Sequence, residues 1–167
     1  MIILGIDPGT ASTGYAFIKV PESVGAKSLP KIVTCGVVTT GKDLAMHQRL
    51  RYIHLQLTSL SKKYRPDLMI IERLFFNTNA KTAMTVGQAR GVALLVGAEF
   101  DLDIYEYTAL QAKLVLTGYG RAEKKAMQGA VQEFLGLPEP IKPDDANDAV
   151  AMVLCHLSKA SVKGEHA

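Results

Sequence analysis

Cysteine is scarce in this chain of 167 residues, and the two present, Cys35 and Cys155, stand far apart with no CxxC spacing. The four histidines are scattered as well. Neither a zinc site nor a disulfide framework is suggested, and both thiols are expected to be reduced. Long apolar runs are also missing. The longest beyond the N-terminus, Gly91 to Ala98 and Ala149 to Cys155, fall far short of the ~20 residues that cross a bilayer. Met1 to Ile6 is apolar but has no basic leader, and Asp7-Pro8 interrupts it, so it does not read as a signal peptide. The chain is expected to stay in the cytoplasm without membrane contact. No internal repeat and no linker breaks the sequence. With 48% hydrophobic residues it can bury one proper core but is too short for two substantial lobes.

Apolar runs and turn residues divide this single domain, residues 1–160, into alternating elements. Met1 to Asp7 reads as a buried strand stopped by Pro8-Gly9. Gly14 to Val20 and Lys31 to Thr40, rich in Val, Ile, Tyr and Phe, read as two more strands of an antiparallel meander. Asp43 to Tyr64 places Leu50, Ile53, Leu57 and Leu60 at helical spacing, and Leu68 to Glu72 returns as a short buried strand. A helix from Ala80 to about Phe100 and a strand over Leu102 to Tyr107 follow. Three helices then span Thr108 to Leu116, Ala122 to Leu135 and Asp144 to Lys159, and Ser161 to Ala167 reads as a polar tail. A meander followed by alternating helices and strands predicts an α/β fold, a mixed five-stranded sheet with helices on both faces.

Acidic residues at the ends of these elements are the candidates for chemistry. Asp7 ends the first strand, where an Asp before Pro-Gly is more often a turn residue. Glu72 ends a fully apolar strand, so its carboxylate lies next to a core and needs a cation, a metal or a base such as Arg73 as partner. Asp144, Asp145 and Asp148 open the last helix. Asp144 can serve as its N-cap after Pro143, while Asp145 and Asp148 share a face and repel one another by a few tenths of a kcal/mol. The macrodipole offsets part of that repulsion, which leaves an acid-rich first turn as the bland reading. The rest of that helix, Ala149 to Leu154, is apolar nearly all round and must be packed, which presses its acidic end against the sheet.

Three stretches resemble the signature blocks of RuvC-type Holliday junction resolvases, of the ribonuclease-H-like superfamily. These are Gly5 to Tyr15; Ile71 to Phe75 running on through Asn79 to Val86-Gly87-Gln88-Ala89-Arg90-Gly91; and Asp145-Ala146-Asn147-Asp148-Ala149. They occur in the family's order, with similar spacing, over nearly the whole chain. The resemblance implies a ribonuclease-H-like fold and an endonuclease that resolves four-way DNA junctions by paired, metal-dependent nicks, leaving ends that a ligase can seal. It makes Asp7, Glu72, Asp145 and Asp148 the metal-binding catalytic set, Asp145 preferred over Asp144 because it opens the Asp-Ala-x-Asp-Ala pattern. Such a set takes Mg2+, with Mn2+ able to substitute, and two ions ~4 Å apart can hold the scissile phosphate. Without metal, four crowded carboxylates repel one another and some pKa values rise.

The resemblance further assigns Lys113 and Lys124 to DNA contact and Phe75 to stacking on junction bases, with Phe76 the alternative exposed ring. On the residues alone, Lys113, Arg121, Lys124 and Lys125 flank Gly118 and Gly120 and read either as a set that tracks a nucleic-acid backbone or as a solvated helix face. It implies a homodimer built through the region of Gly87 and Gly91, two glycines four apart in a helix, whose spacing equally suits packing on the chain's own sheet. A branch-migration complex of the RuvA and RuvB kind is a candidate partner. Setting aside the four site carboxylates leaves 12 of the 16 acids against 19 Lys and Arg, so the remaining surface is basic enough for phosphate binding. Two rival readings stand beside this one. A non-catalytic junction-binding protein would keep the fold without cleaving. Asp7-Pro8-Gly9-Thr10 also resembles the phosphate turn of actin-like and sugar kinases, which need two lobes where this chain has room for one.

Overall fold

The computed structural model of the chain describes residues 1–21, 29–73 and 80–164, with the side chains of 80–82 and 161–164 left aside. Its centre is β1, Ile2–Asp7, an apolar strand buried on both faces. The antiparallel meander runs from β1 through β2, Ser12–Lys19, to β3, Lys31–Thr39. On the other side of β1, β4 (Leu68–Glu72) and then β5 (Asp103–Tyr107) pair in parallel, giving the sheet order β3-β2-β1-β4-β5.

The helices divide between the two faces. On one face lie α1, Met46–Tyr64, and α2, Ala80–Glu99, with Ile53, Leu57, Ala89, Ala93 and Val96 packed on Leu4, Ile6, Phe17, Met69 and Ile71. The other carries α5, Asp144–Gly164, flanked by α3, Ala109–Thr117, and α4, Lys124–Leu135. Every described residue of α5 from Ala149 to Cys155 is buried, as its all-round apolar sequence requires. Among the described residues no helix is long and apolar enough to cross a membrane.

Strand periodicity decides which face each acid joins. Side chains alternate along a strand, so Asp7 shares the face of Ile3 and Gly5, and Glu72 that of Ile70, the face α5 covers. The parallel register pairs Ile6 with Ile71, which sets the ends of β1 and β4, and with them Asp7 and Glu72, side by side.

Two glycines let α5 come close to that face. A Cβ on Gly5 would overlap the carbonyl oxygen of Ala149, and one on Gly14 would overlap that of Asp145. Gly14 is the register partner of Asp7, so its missing side chain is what brings the start of α5 down onto the strand end. Gly14→Ala is expected to destabilise the protein by about 1 to 3 kcal/mol through overpacking against backbone that cannot yield. It should also slow any reaction at this strand end by roughly 100-fold through misplacement of Asp145. Urea denaturation beside single-turnover cleavage measures both, and an unshifted unfolding midpoint would show that α5 can lift without cost.

Several element ends differ from the sequence reading. Helix α1 starts at Met46, not Asp43, because Gly41 and Leu44 close a turn first and Gln48 Oε1 accepts the Ala45 N–H at 3.0 Å. Strand β2 begins two residues early, at the polar Ser12-Thr13, since pairing with Val38 and Thr39 continues there. The helical part of α5 continues to Gly164, past the tail expected from Ser161: Ser161-Val162-Lys163 holds no breaker, and a helix already nucleated adds residues at little cost. Gly87 and Gly91 face away from the sheet, where a Cβ would meet nothing within 4 Å among the described residues, so packing on the chain's own sheet does not explain them.

Candidate active site

Asp7, Asp145 and Asp148 converge where β1 ends and α5 begins, with one carboxylate oxygen from each lying within 4.8 Å of the others. Glu72 stands against Asp7, close enough for their carboxyl groups to share a hydrogen bond. The loop after Asp7 is fixed by two hydroxyls that the sequence reading passed over. Thr13 donates to the Gly9 carbonyl and Thr40 to the Thr10 carbonyl, both at 2.6 Å, and both residues are buried. A buried hydroxyl needs such a partner, so Thr13 beside a Pro-Gly turn carries a local signal, while Thr40 reaches the loop from 30 residues away and carries none.

Electrostatics at this point are those of crowded, part-buried carboxyl groups. Burial, then the hydrogen bond to Glu72 and the charges of Glu72 and Asp145, push the Asp7 pKa from 3.8 to about 8, against the pull of Lys124. Asp148 rises to about 6, first through burial and then through Asp7, again opposed by Lys124. Glu72 is raised by burial and by Asp148, while the hydrogen bond from Asp7 and the charge of Lys113 work the other way. Asp7 and Glu72 thus titrate as a pair that keeps a proton above the usual carboxylate range. No Glu72–Arg73 ion pair forms among the described residues; the Arg73 N–H instead donates to Tyr107 O at 2.8 Å and extends the sheet.

Asp144 stands apart from the cluster. Its Oδ1 accepts from Gln128 Nε2 at 2.8 Å and its Oδ2 lies 3.4 Å from Lys124 Nζ, so it ties α4 to α5. The N-cap role expected for it falls to Pro143, whose carbonyl accepts from Ala146 and Asn147 while Asp144 is already helical. Lys113 and Lys124 line, with Glu72 and Asp148, a recess of about 150 Å³ walled by Met127 and Met152. The capping box of Thr108 and Gln111 fixes the start of α3 and with it Lys113. Phe75 and Phe76, the rings expected to meet junction bases, lie outside the described residues.

A carboxylate cluster at the shared end of two parallel strands, on a five-stranded mixed sheet with helices on both faces, defines the ribonuclease-H-like class of nucleases. The family model described as crossover junction endodeoxyribonuclease RuvC matches residues 3–156. The chain belongs to the RuvC family of crossover junction endodeoxyribonucleases. It is 48% identical over 164 residues to the protein of that name from Desulforamulus reducens, covering 98% of each chain. Thermus thermophilus RuvC in complex with Holliday junction substrate is 29% identical with a TM-score of 0.87, over 98% of this chain and 96% of that one. The yeast mitochondrial Holliday junction resolvase Ydc2, 15% identical with a TM-score of 0.65 over 97% and 82% of the two chains, shares the fold.

Proposed function

We propose that the protein is a structure-selective endonuclease that resolves four-way DNA junctions by paired phosphodiester hydrolysis. The convergence of Asp7, Asp145 and Asp148 beside Glu72, flanked by two lysines in a chain of this family, carries the reading. Asp7, Glu72, Asp145 and Asp148 are the catalytic set. An all-oxygen donor set that is part-buried and mutually repelling fits a hard divalent cation, Mg2+ with Mn2+ able to substitute. Four carboxylates carry charge enough to hold two such ions. Bound there, they supply Lewis acidity that activates a water and stabilises the leaving oxygen.

The chain's own residues do the rest. Lys113 and Lys124 face the cluster and hold the scissile phosphate against it, offsetting the repulsion between phosphate and carboxylates. Asp144, through Lys124 and Gln128, steadies that side of the recess and stays outside the ligand set. Phe75 is retained as the stacking residue on the resemblance alone.

Paired nicks need two sites, and a homodimer supplies them. The outer face of α2, with Gly87 and Gly91 open and Met84 and Leu95 exposed by 71% and 53%, supports an interface there. A branch-migration complex of the RuvA and RuvB kind remains the candidate partner. The test is a labelled four-way junction beside a linear duplex of the same sequence, with Mg2+ or with EDTA. Nicks paired in strands of like polarity, in the junction alone and only with metal, are expected. Tight binding without cleavage would leave a junction-binding protein, and cleavage of both substrates a general nuclease. Sedimentation showing only monomer at micromolar concentration would remove the dimer.

A further inference from the structure

The turn between α3 and α4 presents a ring that the core does not use. Gly118 ends α3 with a φ of 75°, in the left-handed region, and its N–H closes on the Leu114 carbonyl. The Thr117 hydroxyl donates to the Lys113 carbonyl at 2.7 Å and accepts from the Tyr119 N–H at 3.2 Å. Thus the backbone of Tyr119 is held by Thr117, while its side chain is 62% exposed and has no ring partner among the described residues. An aromatic ring fixed on a tight turn loses little freedom when another π-system stacks on it.

Two cations flank that ring. Arg121 and Lys125 are exposed and have no ion-pair partner among the described residues. With Thr117, Tyr119 and Glu123 they line an open groove of about 710 Å³, on which Glu123 is the one acid. The neighbouring residue Lys124 borders the recess holding Glu72 and Asp148 and also the surface beside Asp145. The groove and the acidic recess are thus lined by residues adjacent on α4, Lys125 and Lys124.

We infer that Tyr119, with Arg121 and Lys125, binds the DNA strand as it leaves the cleavage site. The cations meet its phosphates, and the ring stacks on a nucleotide unstacked at the crossover. This rests on the junction-nuclease reading and deepens it. A continuous duplex hides the faces of its bases, whereas the nucleotides at a junction's branch point can be splayed, so the ring favours junction over duplex.

The test is fluorescence anisotropy with the full chain in EDTA, on a labelled junction and a linear duplex, over a series of salt concentrations. Tyr119→Ala is expected to weaken junction binding about 10-fold with an unchanged salt slope, and Tyr119→Phe to bind as wild type does. Arg121→Gln should weaken both substrates and lower the slope by about 1. Melting temperatures should not move, because these side chains are exposed. If wild type binds junction and duplex alike, the junction reading itself has failed and this inference falls with it. If wild type discriminates but Tyr119→Ala binds the junction equally well, the inference alone is overturned and the groove is left to a protein partner. Equal losses in Tyr119→Ala and Tyr119→Phe would trace the contact to the hydroxyl and overturn stacking.

Discussion

The Asp7→Asn protein is expected to bind a four-way junction as tightly as wild type and to cut it at least about 1,000-fold more slowly, a loss of ~4 kcal/mol in transition-state stabilisation. Asparagine keeps the size of Asp7 and can still donate to Glu72, so the fold should persist. What it removes is one of the three carboxylate oxygens that lie within 4.8 Å of one another, and with it a ligand that a metal ion would hold ionised. Binding should hold, because the exchange adds no charge and leaves Lys113 and Lys124 in place. The informative control is Asp144→Asn, one residue before the cluster, which should stay within about 10-fold of wild type because its carboxylate turns to Gln128 and Lys124. Single-turnover cleavage at saturating protein reads both. An Asp7→Asn enzyme within tenfold of wild type would take Asp7 out of the chemistry, and an Asp144→Asn enzyme as dead as Asp7→Asn would put Asp144 into the ligand set.

Metal-free protein should lose stability as pH rises from about 6.5 to 8.5. The folded state holds a proton on Asp7 up to about pH 8 and on Asp148 up to about 6, whereas both lose it near 3.8 when unfolded. Above pH 4 the native state therefore binds more protons than the unfolded one, and unfolding free energy falls with pH until Asp7 has titrated. His156 works in the opposite sense at lower pH, since burial lowers its pKa and its neutral form is the folded one, which is why the window starts at 6.5. Because the site is open to water and partly screened, the fall should be on the order of 2 kcal/mol, or roughly 4 to 8 °C in Tm. Mg2+ binds the ionised carboxylates and should raise Tm more at pH 8.5 than at 6.5. Thermal melts of wild type and Asp7→Asn, in EDTA and in Mg2+, check this. A pH slope that survives unchanged in Asp7→Asn would assign it to other groups.

Much of the site could be read from local pattern. An apolar strand ending in Asp7, another ending in Glu72 and a packed helix opening on Asp145 and Asp148 each state their own burial, and burial of an acid implies a partner. Asp144 could not be separated from Asp145 in that way, because the difference lies in a contact with Gln128, 16 residues away on another helix. Gly5 and Gly14 read as ordinary strand residues; their role depends on α5 crossing above them, a long-range fact no window contains. The start of α1 is not legible because turn and helix share polar residues, and Gln48 settles the choice only once Ala45 is known to precede the helix. The orientation of Gly87 and Gly91 was open for a related reason. Spacing four apart fixes a face of α2 but not which way that face looks.

The descent of α5 onto β1 and β2 has a consequence for how the molecule breathes. Backbone amides exchange with solvent water through local openings, and the slowest belong to segments whose exposure requires the whole core to come apart. The Ala149–Cys155 stretch, buried all round at the middle of the sheet, is such a segment; Asp148 directly precedes it and Asp145 stands about one turn before it. Fraying of β3 or β5 at the sheet edges leaves that rod in place. Asp145 and Asp148, joined directly to that rod, are therefore expected to keep their places through sub-global fluctuations and to lose them only when the core itself opens.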